Sequence, residues 1–203
     1  MRRFAADRLR EMAPGLDHIV HMPSHIDVRL GHWTDAVIAN RKAIAVDRVY
    51  RARAAPRNFG TYRYHNRHML TFALMMRGEA CCADTVVRDM LLETPKDFAE
   101  KQALECDPYF AMPYEVYVRF GRWDSMLAAS PPHSSFPVAT AFWRFGRGIA
   151  LAATKRVGEA ENEEREFLVA QKMVPETSRF RGLTSRALLR IAEKMNFLFS
   201  LAS

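Results

Sequence analysis

The 203 residues are 49% hydrophobic and carry a net charge of +7, with only 9 glycines and 10 prolines. That is material for one large domain or a short array of repeats, and a chain rich in Ala, Leu, Met, Arg and Glu favours helix over sheet. Three cysteines, two of them adjacent, exclude a disulfide framework, and no apolar run reaches the roughly 18 residues of a membrane span.

The N-terminal stretch MRRFAADRLREMAP has no apolar core of a secretory signal. The chain therefore reads as cytoplasmic, with Cys81, Cys82 and Cys106 as buried free thiols. Next comes HIVHMPSHIDVRLGHW, residues 18–33, which holds four of the seven histidines. His18, His21 and His25 stand at i, i+3 and i+7, on one side of a helix. Pro23 lies among them. It either deletes a helix hydrogen bond and kinks the segment, or opens a new helix as its first residue.

From here one pattern recurs along the chain: RLGHWTDAV, MRGEACCADTV, RFGRWDSML and ATKRVGEAE. Gly31, Gly78 and Gly121 are followed two residues on by Trp33, Ala80 and Trp123, and five residues on by Ala36, Ala83 and Met126. Lys155, Val157 and Ala160 occupy the same frame in the fourth segment. A glycine at such a place relieves the left-handed residue that closes a helix.

This pattern resembles the tetratricopeptide repeat (TPR), a helix–turn–helix unit of about 34 residues. In that frame Ala43, Pro95 and Gly148 also fall at positions the repeat reserves for alanine, proline and a small residue. The resemblance implies an all-α, right-handed helical solenoid of antiparallel helix pairs. In chain order these are a second-helix remnant at 2–13 ended by Pro14, pairs at about 18–48, 64–94, 107–130 and 139–172, and a partial terminal helix at 185–203. Segments 51–63, 96–105 and 130–137 become inter-repeat loops or helix extensions. Residues 1–203 then form a single array cut at both ends, so the chain is a fragment or buries its uncapped ends by self-association.

The combination HMPSHI, RxGxW, NxxAI, YHNxH, VxRFGRW and RGxALAA, over residues 4–170, also resembles a group of bacterial TPR proteins without a well-defined activity. Its members are longer and bring further histidines upstream. The resemblance implies the fold and supplies no reaction.

In a TPR array the first helix of each pair lines the concave groove. The groove positions are then His18, His21, His25, Val28 and Arg29, followed by His65, His68, Phe72, Met75 and Met76 in the second repeat. The third repeat gives Glu115 and Arg119 among others, and the fourth Phe142, Phe145 and Ile149. Two readings follow. In the first, the His-rich groove is a scaffold for a peptide, protein or small-molecule ligand. Arg29 and Arg119 meet its charge, and Phe72, Met75, Met76, Phe142 and Phe145 meet its apolar part. In the second, His18, His21, His25, His65, His68 and Glu115 hold a transition metal (zinc, iron or copper) that supports a hydrolase or an oxidase. Tyr64, Asn66, Ser24 and Asp27 are candidates to orient the rings. Purely structural hydrogen bonding by the histidines is the third alternative.

Other features carry less. The basic group Arg41, Lys42, Arg48, Arg51, Arg53 and Arg57 reads as a solvated face and loop, and no motif points to specific nucleic-acid binding. The acidic run Glu159, Glu161, Glu163, Glu164 and Glu166 likewise reads as a solvated helix face. Ser134 and Ser135 near His133 lack the partners of a nucleophile.

Overall fold

The computed structural model describes residues 2–53 and 62–201, so most of the segment expected to be a loop at 51–63, Arg57 included, lies outside the described residues. What is described is all-α apart from one short hairpin. The chain divides into two compact units, Met1–Glu93 and Thr94–Ser203.

The N-terminal unit contains α1 (Arg2–Met12), α2 (Asp17–His21), α3 (Pro23–Leu30), α4 (Trp33–Arg53), α5 (Tyr62–Met76) and α6 (Ala80–Glu93). Helix α4 packs on α2, α3 and α5, α6 packs on α5, and α1 packs on α3. Small residues carry these approaches: Ala36, Ala43, Ala73 and Ala83 are fully buried. Arg10 of α1 donates twice to the buried Asp27 of α3, at 2.7 and 2.8 Å.

Both outcomes open to Pro23 are realised. Met22 keeps a right-handed helical conformation and closes α2, while Pro23 begins α3. Proline has no N–H, so the ladder loses a rung there, and His25 N–H donates to Met22 O across a tighter turn at 3.2 Å.

The C-terminal unit contains α7 (Lys96–Lys101), α8 (Ala103–Cys106), a 3-10 turn (Asp107–Ala111), α9 (Met112–Arg119), α10 (Trp123–Ala128), α11 (Pro137–Ala153) and α12 (Val157–Met173). The strands β1 (Arg179–Phe180) and β2 (Leu183–Thr184) and the helix α13 (Ser185–Leu201) complete it. Both residues of the tight turn between the strands, Arg181 and Gly182, have positive φ, as such hairpins require. Helix α11 is the centre and touches α9, α10, α12, α13 and the 3-10 turn. Its Val138, Ala141, Phe145 and Ile149 meet Phe167, Val174 and Leu189 in one apolar core. Gly146 lets α11 come close, because a Cβ there would lie 2.7 Å from Met126 Sδ. The start of α11 is capped from a distance: the Asp107 carboxylate accepts the N–H groups of Val138 and Ala139 at 2.7 and 2.8 Å. Burial pushes that carboxyl up to about 6, against the pull of the two donors.

One turn is built four times. Gly31, Gly78, Gly121 and Lys155 have φ of 75°, 77°, 63° and 62°. In each case the turn residue's N–H donates three residues back and the next N–H five residues back. The latter bonds are His32 to Asp27, Glu79 to Leu74, Arg122 to Tyr117 and Arg156 to Leu151, at 2.8–3.0 Å. This paired pattern satisfies the last carbonyls of a helix and turns the chain into the next one.

Two expectations are corrected. Cys81 and Cys82 are exposed and only Cys106 is buried. The inner face of α6 is taken by Ala83, Val87 and Met90, which leaves the two thiols outside. Glu163 is not solvated: it is buried and accepts from Arg144 at 3.0 Å and Arg147 at 2.7 Å. No helix among the described residues is long and apolar enough to cross a membrane.

Candidate metal centre

Three histidines of the N-terminal unit converge. His21 ends α2, His25 lies in the first turn of α3, and His65 lies in the first turn of α5. Their ligating nitrogens are all within 4.8 Å of one another. His25 Nε2 stands at the middle, 3.0 Å from His21 Nε2 and 3.2 Å from His65 Nε2. His21 and His65 are buried and His25 is half-buried. The ring of Tyr62 closes one side, with centroids 5.9 Å from His21 and 5.5 Å from His65.

A fourth residue fixes the chemistry of His21. Asn40 of α4 is fully buried, and its Nδ2 donates to Ala36 O at 2.8 Å. Its Oδ1 therefore faces His21, and His21 Nδ1–H donates to it at 2.7 Å. Ser24 Oγ lies 3.4 Å from the same nitrogen. The proton of neutral His21 is thus on Nδ1, and Nε2 presents a lone pair to the other two rings. Holding the outer nitrogen of an imidazole by an amide or carbonyl oxygen is how metal-binding histidines are oriented.

The spacing suits one ion. Nitrogens about 2.0–2.1 Å from a tetrahedral metal stand about 3.3–3.4 Å apart. Contacts of 3.0 and 3.2 Å need little adjustment to reach that. A ring nitrogen carries at most one hydrogen, so a proton on His25 Nε2 serves one neighbour, whereas a cation serves three lone pairs at once.

The other expected ligands lie elsewhere. His18 packs edge-on against Tyr62 at 4.8 Å and is outside the converging set, as is His68, half-buried further along α5. Glu115 belongs to α9 of the C-terminal unit, where burial pushes its carboxyl up to about 7. Among the expected ring-orienting groups, Ser24 is in place, while Asp27 is held by Arg10. Asn66 and Tyr64 are buried on α5. A second group, Asp27, His32 and Asp35, is also close enough to hold a cation, but Arg10 takes both oxygens of Asp27.

The residues expected to line a ligand groove divide between surface and core. Arg29, Met76 and Arg119 are exposed, Phe72 meets Trp33 edge-on at 5.9 Å, and Met75 is buried. Phe145 belongs to the apolar core of the C-terminal unit, with Phe142 packed against it.

Sequence reasoning missed Asn40 as the orienting group. The signal was present, because Asn40 is the asparagine of the NxxAI segment that the bacterial TPR resemblance uses. Comparison of the chain with protein families, with curated proteins and with solved structures finds no match in any of the three.

Proposed function

We propose that this chain is a TPR-like helical-repeat protein whose N-terminal unit holds one transition-metal ion on His21, His25 and His65. The fourfold recurrence of one helix-closing turn supports the repeat reading. The convergence of three Nε2 atoms, with His21 oriented by Asn40, carries the metal reading. Between the scaffold and the metalloprotein, this geometry favours the second. The proposed groove residues offer no comparable convergence, since Met75 and Phe145 are buried within their own units.

The donor set is three neutral imidazoles with no carboxylate in the group, which suits zinc, copper or iron. Three protein ligands leave a coordination position for water or substrate, the arrangement of catalytic rather than structural sites. An ion there would polarise a bound oxygen or lower the pKa of a bound water, a requirement shared by hydrolytic and oxidative chemistry.

Elemental analysis of untagged full chain, purified without chelator and reloaded with zinc, copper or iron salts, tests this. About one ion per chain is expected. It is lost in His25→Ala and retained in His18→Ala/His68→Ala, with helix content by circular dichroism unchanged in both. Absence of metal after reloading, or equal metal in His25→Ala, overturns the reading.

A further inference from the structure

The three proposed ligands come from two places in the chain. His21 and His25 flank the break at Pro23, whereas His65 stands 40 residues beyond His25, on α5. Helix α5 packs on α4 and α6, so the place of His65 depends on how those two helices hold the start of α5. Helix α4 also carries Asn40, which orients His21. His65 lies in the first turn of α5, where the helix's own N–H groups find no partner within it.

Glu93, the last residue of α6, is fastened to both neighbouring helices. One carboxylate oxygen, Oε1, accepts from Arg48 of α4 at 2.8 Å. The other, Oε2, accepts from Arg63 at 3.1 Å and from Arg67, both of α5, and Arg51 of α4 stands 3.7 Å from it. Arg48 is exposed and Arg51 half-buried, with Asp47 accepting from Arg51 at 2.9 Å. The basic group read from sequence as a solvated face is thus tied at one end to a carboxylate. Arg63 and Arg67 are 5% and 2% exposed, which is rare for arginine. They stand four residues apart on one face of α5. His65, two residues on from Arg63, leaves the helix about 200° further round, on the opposite face.

We infer that Glu93 is a positioning residue for the metal site, holding the first two turns of α5 through Arg63 and Arg67 so that His65 meets His21 and His25. The inference rests on the metal reading above. Without the carboxylate, two buried guanidiniums lose an ion pair in a place where desolvated charge is costly. They recover hydration by moving toward water, and they carry the start of α5 with them. His21 and His25 belong to other helices and stay in place, so the defect is the loss of one ligand out of three.

Zinc competition titration of the full chain with Glu93→Gln, and with the same substitution made in His65→Ala, is the test. Glu93→Gln keeps the size of the side chain and removes its charge. It is expected to weaken zinc binding at least about tenfold, as loss of a ligand's supporting partner does, and to leave about two imidazole nitrogens in the zinc X-ray absorption spectrum. In His65→Ala, where His21 and His25 remain, the substitution should change zinc affinity by less than about twofold, because the ligand it acts through is gone. Glu93→Asp keeps the charge on a side chain one methylene shorter and should weaken zinc in the same direction by a smaller factor; it decides the matter if Glu93→Gln does not fold. Zinc affinity equal to wild type in the folded variants, or the same weakening with and without His65, overturns the inference and leaves Glu93 a structural tie. A wild type that binds no zinc overturns the metal reading itself.

Discussion

The two units close their helices with the same turn but bury different chemistry. Among the described residues, nine polar or charged side chains are buried in the N-terminal unit and four in the C-terminal unit. The four have structural tasks. Asp107 caps α11, Glu163 holds Arg144 and Arg147, and Ser178 and Ser185 bond each other at 2.7 Å across the base of the hairpin. In the N-terminal unit Asp27 ties α3 to α1 through Arg10, while His21, Asn40 and His65 meet in a histidine cluster and Arg63 and Arg67 gather on Glu93. Asn66, with both amide atoms lacking a hydrogen-bond partner, and Thr71 Oγ1, lacking one too, lie on the same helix as His65 and Arg67. Burying polar groups costs stability unless they are satisfied, so the first unit, with the larger buried polar set, is where the proposed metal chemistry is sought.

Several substitutions would break or sharpen this contrast. The largest effect belongs to the apolar core. Phe167 is fully buried, and Phe167→Ala should cost about 3–5 kcal/mol in urea unfolding while leaving metal stoichiometry unchanged. If metal is lost too, chemistry and packing are not divided as described. Asn40→Ala comes next. Leaving His21 Nδ1–H buried without its acceptor should cost about 1–3 kcal/mol. It should also weaken metal binding about 10- to 100-fold in a competition titration.

Asp107→Ala removes the cap of α11 and should cost about 1–2 kcal/mol, with no effect on metal. The pH dependence has a definite sign. The folded carboxyl, raised to about 6 from the usual 3.8, holds its proton more tightly than the unfolded one. Its contribution to stability therefore grows as pH falls through about 6 and levels off below about 4. Wild type should gain on Asp107→Asn between pH 7 and about 5 in parallel denaturation curves, and a constant gap would refute the assignment. The smallest effect concerns the fourth turn. Lysine in the left-handed region is strained by about 1–2 kcal/mol, so Lys155→Gly should raise the melting temperature and Gly31→Ala lower it.

The turns were the most legible part of the fold, because a left-handed residue leaves a local mark. Gly31, Gly78 and Gly121 announce it, and Lys155 is found by frame alone. The histidine wall was legible as a wall but not as a site. Helical spacing ranks His18, His21 and His25 alike, yet the chain breaks at Pro23, and only His21 and His25 meet His65. Asn40 lies 19 residues from His21 and Asp107 31 residues from Val138; both pairings depend on how helices pack, which no local pattern encodes. The pairing of the exposed Arg48 and the half-buried Arg51 with Glu93 was hidden for the same reason, since Glu93 reaches them from another helix.

The central claim is that three particular histidines, rather than the whole histidine wall, hold a metal. Zinc K-edge X-ray absorption on the full chain loaded with one equivalent tests it most directly, with His18→Ala/His68→Ala measured alongside. The account predicts about three imidazole nitrogens at about 2.0–2.1 Å, with the same spectrum in the double variant. A zinc surrounded by water alone, or imidazole scattering that disappears in the double variant, would contradict it.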